Sequence, residues 1–214
     1  MKKLFLALAI LLILTFGISE TRGVLHNFHT VEAGSLYRSA QLSPGTLEEM
    51  IYKYKIKTVI NLQGAHPDDA WYIDEKEVLD RLAVDLVDIP MRSERIPTHE
   101  ELTSLFEAYD HSPRPMLIHC NSGSDRTGEA SAIYEIEYMK KTKEEAMEML
   151  SPFYFHLSFL VPSKTYFMNM YQGRKWALNE YDPCKQTYLY FDHRLGQCRH
   201  TILGNPIHGV QSKN

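Results

Sequence analysis

The chain has 214 residues, 44% of them hydrophobic and 23% charged, with a formal net charge of −4 at pH 7. That length and composition support one well-packed domain. The mildly acidic balance argues against nucleic acid as a partner. It does not exclude an anionic substrate, because a local field decides that affinity. No internal repeat or low-complexity tract interrupts the chain.

The first nineteen residues stand apart. Lys2 and Lys3 precede residues 4–18, which carry no charge, the pattern of an export signal. Gly17 and Ser19 are small residues at the spacing a signal peptidase reads. An uncleaved anchor is the rival, but a spanning helix prefers about 20 apolar residues and this run is shorter, which favours cleavage. Either way the lysines stay inside, so the remainder is expected in the periplasm or attached by its N-terminus to the outer face of the inner membrane. Removing residues 1–19 takes away two lysines and moves the charge from −4 to −6.

Residues 34–39 read as an early strand. Ser43 and Pro44 suit the N-cap and first turn of a helix whose face is Leu47, Met50, Ile51 and Tyr54. Residues 58–62 form a β-branched strand ending near Gly64. A second helix starts near Asp68 and Asp69, with Trp71, Val78, Leu79 and Leu82 inward. Residues 84–89 make the next strand, stopped by Pro90. Thr98 to Glu101 is a capping box, and Leu102, Leu105, Phe106 and Tyr109 are the apolar face that follows. Residues 115–119 read as a short buried strand. Ala132, Ile133, Ile136 and Met139 mark the inner side of the helix after it. Thr142 to Glu145 is a second capping box, and Pro162 and Ser163 open a last helix through Phe167, Met170 and Tyr171. Strands alternating with helices predict a single α/β domain over 24–178, with a central, mostly parallel sheet flanked by helices. Residues 179–214 read as a C-terminal extension, with a strand at 187–191 and a turn around Gly196. Cys184 and Cys198 could pair in an oxidising compartment, closing a loop worth roughly 3 kcal/mol. Cys184, Cys198 and His200 lack zinc-ligand spacing.

The chemistry concentrates between the central strand and its helix, in His119-Cys120-Asn121-Ser122-Gly123-Ser124-Asp125-Arg126-Thr127-Gly128. A small-residue loop there can turn successive backbone N–H groups onto one phosphate, with the positive end of the next helix aimed at the same point. The same field favours a thiolate at Cys120, the form a nucleophile needs. Arg126 offers a planar fork to two phosphate oxygens. Asn121, Ser122, Gly123, Ser124, Asp125, Arg126 and Thr127 are thus the expected phosphate cradle. No clustered His/Asp metal signature accompanies it, and the chemistry calls for no metal or cofactor.

This loop resembles the signature of the cysteine-dependent protein tyrosine and dual-specificity phosphatases. The resemblance implies a phosphocysteine intermediate on Cys120, phosphate binding by Arg126, and a Thr127 hydroxyl that helps the sulfur leave. Over about residues 24–178 the chain is similar to small exported bacterial phosphatases of this kind. The further matches are Leu36-Tyr37-Arg38-Ser39-Ala40, the strand from Lys57 to Leu62, and Pro90 at a strand end.

Breaking a phosphate monoester also needs a proton for the leaving oxygen. Glu94 lies in the loop after Pro90, Asp88 near the end of the preceding strand, and Asp125 inside the phosphate loop. The resemblance points to Glu94, which stands just before Arg95 where such enzymes carry Asp; Asp88 and Asp125 stay open. Arg38, Arg92 and Arg95 are further candidate substrate contacts. The phosphate loop contains no Lys, which favours a singly phosphorylated group, such as phosphotyrosine on a protein or a small phosphomonoester. A lipid or inositol phosphate is the alternative substrate, and a silent phosphate-binding module the weaker one.

Overall fold

The computed structural model describes residues 26–185, 189–191, 199–200 and 206–207. The expected export signal, Cys198, Gly196 and most of the tail lie outside that range. Five strands form one sheet: β1 (His29–Glu32), β2 (Leu36–Ala40), β3 (Thr58–Asn61), β4 (Asp85–Asp88) and β5 (Met116–Cys120), in the order β1-β2-β5-β3-β4. β1 runs antiparallel to β2, and the other pairings are parallel. β5, the strand that ends at Cys120, therefore lies in the middle.

Parallel neighbours require helical crossovers, and these supply α1 (Pro44–Tyr54), α2 (Ala70–Leu82) and α3 (His99–His111). Pro44 opens α1, and Lys55 and Ala83 close α1 and α2 in the left-handed conformation. Thr98 and Glu101 make the expected reciprocal capping box at α3, and Thr142 and Glu145 make it at α5 (Lys143–Ala146). The order continues through α4 (Asp125–Glu137), α6 (Pro162–Met170) and α7 (Arg174–Asn179).

The two-residue period of the strands divides the core. Leu36, Ile60, Met116, Ile118 and Cys120 face a larger core with Phe106, Ile133 and Phe167, while Tyr37, Val59 and Leu117 face Leu47, Ile51, Val78 and Leu79.

Several details differ from expectation. β1 was not foreseen, because its four residues alternate weakly. On α2 the buried set is Tyr72, Glu75, Val78 and Leu79, with Trp71 and Leu82 only half-buried. α4 is not one-sided: residues 127–135 are all buried, because α5, α6 and β2 pack around it. α6 is not the last helix, and a domain boundary at 178 falls inside α7, whose Trp176 and Ala177 belong to the core. Residues 189–190 form a bend with Tyr190 left-handed, which replaces that part of the expected strand; Thr187 and Tyr188 lie outside the described residues. Tyr181 and Phe191 reach back into the core, and the amide of Ile96 donates to the Tyr190 carbonyl. Cys184 is disulfide-bonded and Cys120 is a free thiol.

Candidate active site

β5 delivers Cys120 to the carboxyl edge of the sheet, fully buried, and α4 starts five residues later. The turn between them is possible only with glycine at 123. Its φ is +68°, and a Cβ there would lie 2.6 Å from the backbone of Ser39 and Ala40. Gly128 is held as closely: a Cβ would meet the Met149 carbonyl at 2.7 Å.

A shell of donors fixes the loop from behind. Arg38 donates to the Gly123 carbonyl at 2.6 Å and to the Met149 carbonyl at 3.0 Å, with its guanidinium 4.1 Å from the Tyr154 ring centroid. Burial draws the Arg38 pKa down to about 10, partly offset by Tyr154, Cys120 and Glu135. Asn27 donates to the Ser122 and Tyr154 carbonyls at 3.1 Å each. Behind the strand, His119 Nε2 lies 3.2 Å from Glu75 on α2.

The residues facing outward are less committed. Asn121 and Ser122 are exposed, and Ser124 donates to Ser122 at 2.9 Å. Among the described residues Arg126 makes only two long contacts, 3.4 Å each, to the carbonyls of Leu62 and Met91, and its Nε and the buried Thr127 hydroxyl find no protein partner there. A fork that spends so little on the protein can give its donors to an anion.

Of the three carboxyl candidates, Asp88 accepts from Asn61 at 2.8 Å and from Tyr72 at 2.5 Å, so it braces the end of β4. Asp125 turns away from the loop interior and pairs with buried His156 at 2.7 Å; His156 also reaches Thr165 at 3.0 Å. Glu94 is exposed, and lines a cleft of about 1440 Å³ together with Arg126, Gln63, Arg92 and the segment from Asn179 to Lys185. Partial burial pushes the Glu94 pKa up, but bonds from its own amide and from Ser93, with Arg92 and Arg95 nearby, outweigh this and hold it below the usual carboxylate range.

Arg38 and Arg95 are corrected from substrate contacts to structural groups. Arg95 is buried in a bidentate pair with Glu101, at 2.6 and 2.9 Å. Arg92 alone of the three stays exposed on the cleft. Sequence reasoning missed Lys164, whose ammonium donates at 2.9 Å both to the Arg95 carbonyl and to Glu129 on α4. A polar residue in an aromatic-rich helix was the available signal. Ser163 beside it donates to the Ser93 carbonyl at 2.6 Å. The loop carrying Glu94 is thus pinned on both sides.

Known proteins share this fold. The chain is 30% identical over 116 residues to the dual specificity protein phosphatase TpbA of Pseudomonas aeruginosa, covering 53% of this chain and 49% of that protein. It therefore spans about half the length of that relative. The crystal structure of P. aeruginosa TpbA superposes with a TM-score of 0.53 at 23% identity, over 67% of this chain and 84% of that one. The catalytic core of the PP-IP phosphatase SIW14 from Saccharomyces cerevisiae, solved with citrate, gives 0.56 at 25% identity, over 68% and 85%. Residues 21–156, more than half of the chain and including the whole Cys120–Gly128 loop, match the family described as DSP-PTPase phosphatase fused to NAD+ kinase, and the chain belongs to that family.

Proposed function

We propose that the protein hydrolyses phosphomonoesters through a phosphocysteine on Cys120, with phosphotyrosine on a protein as the preferred class of substrate. The observation that carries this reading is the pairing of a buried free cysteine with the uncommitted Arg126 fork, at the N-terminus of α4. The Cys120 sulfur attacks phosphorus as the P–O bond to the leaving group breaks, and the departing oxygen takes a proton from Glu94. Water then attacks phosphorus, the S–P bond breaks, and Glu94 takes back a proton. The loop amides and Arg126 hold the three equatorial oxygens through both steps. The buried Thr127 hydroxyl is available to donate to the sulfur as it leaves.

The likeness to SIW14, a PP-IP phosphatase, favours a second reading, hydrolysis of inositol or lipid phosphates. Against it stands the phosphate loop, which has no cation besides Arg126. A panel of phosphotyrosine peptide, phosphoserine peptide, phosphatidylglycerol phosphate and inositol hexakisphosphate separates the readings. Phosphotyrosine is expected to lead, and a lead for either of the last two overturns the preference. Chelator should leave aryl phosphate hydrolysis intact, Cys120→Ser should abolish it, and Arg126→Lys should fail badly because an ammonium cannot replace the fork. Activity retained in Cys120→Ser refutes the mechanism.

A further inference from the structure

The segment after α5 is unusual for a protein surface. Nine large hydrophobic side chains are exposed among the described residues, and five of them fall within 153–160: Phe153, Phe155, Leu157, Phe159 and Leu160. Phe159 is 78% exposed and Leu160 66%. Scattered exposed apolar residues are ordinary, but a contiguous patch marks an interaction surface.

The patch is displayed on a fixed frame. His156 is buried between Asp125 and Thr165. The amides of Tyr154 and His156 donate to the Ser151 carbonyl at 3.0 and 3.1 Å. Tyr154 is pressed between Arg38 and the edge of His29. The outward phenylalanines are therefore held in place by groups that also hold the phosphate loop.

Two observations identify the occupant. Residues 149–163 contain no Asp, Glu, Lys or Arg. A protein-binding patch ordinarily has a polar, hydrogen-bonding rim, whereas aromatic and aliphatic tips without charge suit the boundary of a bilayer. The first described residues also sit against this face. Asn27 bonds the Tyr154 carbonyl, and the His29 ring lies 5.2 Å from that of Phe153. From Ile18 to Asn27 the chain can span roughly 30 Å at most. If residues 4–18 are retained and enter a bilayer, the end of this face beside Asn27 lies within that reach.

We propose that the loop from Phe153 to Leu160 is a lipid-docking surface that sets the phosphate-loop side of the protein against the headgroup layer. This inference stands apart from the substrate assignment. It is tested with the full chain carrying Phe159→Trp, mixed with phosphatidylcholine/phosphatidylglycerol vesicles whose acyl chains are brominated. The native tryptophans are Trp71 and Trp176, half-buried on α2 and buried in α7. The added indole should lose about half its emission or more to the bromines while the native pair changes little. Equal quenching of variant and parent chain overturns the proposal. So does an indole already shielded from acrylamide without vesicles, which would mean that the chain itself or a second copy covers the loop. A Phe153→Trp reporter should show the same quenching, and lose it when Phe159→Asp and Leu160→Asp are added. Hydrolysis of soluble aryl phosphate should be unchanged in that last variant, showing that it is folded. Should the parent chain hydrolyse no phosphate at all, the proposed function fails while the quenching result still decides the docking surface.

Discussion

As the proposed acid, Glu94 would have to do two opposed things at one carboxyl group: be charged beside Arg92 and Arg95 when the site is free, and carry a proton when phosphate arrives. Its neighbours hold it below the usual carboxylate range in the free protein. A phosphate dianion brought beside it favours the neutral acid. The sign follows. In kcat/KM, which reports the free protein, the acid is protonated only at low pH, so its limb falls as pH rises through a depressed carboxylate pKa. In kcat, which reports the complex, the same limb should lie at higher pH. Glu94→Gln should remove both falling limbs and slow an alkyl phosphate by about 10²–10⁴-fold, with a smaller loss for an aryl phosphate that leaves unaided. Unchanged pH profiles in that variant would move the proton to another group. Asp88 and Asp125 are poorly placed to supply it, since each is already bonded to neighbours that position the site.

The elements around this residue are tied together by charges buried in the core. Lys164 on α6 joins Glu129 on α4 to the Arg95 carbonyl, so α6 bridges the phosphate-loop helix and the loop of Glu94. Burial pushes the Glu129 pKa up to about 7, against the pull of Lys164. An acid whose folded pKa is raised binds more protons in the native than in the unfolded state between about 4.5 and about 7. Its contribution is therefore most favourable below the lower value, and stability falls as pH rises through that window. Thermal midpoints of the wild type should drop across it, and Glu129→Gln should flatten the slope; parallel slopes would contradict the burial argument. Lys164→Met, which leaves a buried carboxylate unpaired, should cost about 3–5 kcal/mol in urea denaturation. Beyond the hint of one polar residue in an aromatic-rich helix, this network was not legible beforehand. The alternation of strands, the caps at Thr98 and Thr142, and the Cys120–Gly128 loop are local patterns, and local patterns determine which elements form. Arg38 and Arg95 read as surface or substrate charges, and Lys164 drew no reading, because burial is a property of the assembled fold: Lys164 bonds partners 35 and 69 positions away, and Arg38 bonds partners 85 and 111 positions away.

At the scale of the whole molecule, the described residues just beyond α7, 180–185 and Phe191, form a wall of the cleft and not an appendage. Composition suggested a separate extension because the segment after Asn179 breaks the helix–strand rhythm. No local pattern could show where Tyr181 and Phe191 would pack. Tyr181 is 3% exposed, its hydroxyl donates to the Pro97 carbonyl at 2.6 Å, and its ring lies 5.0 Å from Trp176 and 5.3 Å from Phe167. Pro97 precedes the Thr98 cap of α3 and follows the Glu94 loop, so one side chain supports the core, the cap and the cleft. Tyr181→Ala removes a buried ring and should destabilise the fold by about 3–5 kcal/mol. Tyr181→Phe keeps the packing and leaves the Pro97 carbonyl without its donor, at about 1–3 kcal/mol. Urea midpoints measure both. The two variants should also part in kinetics. Tyr181→Phe, still folded, should slow alkyl phosphates more than aryl phosphates, because a looser Glu94 loop places the proton less well while Cys120 and Arg126 stay in register. Equal slowing of both substrates would mean that Tyr181 supports the fold without orienting the acid.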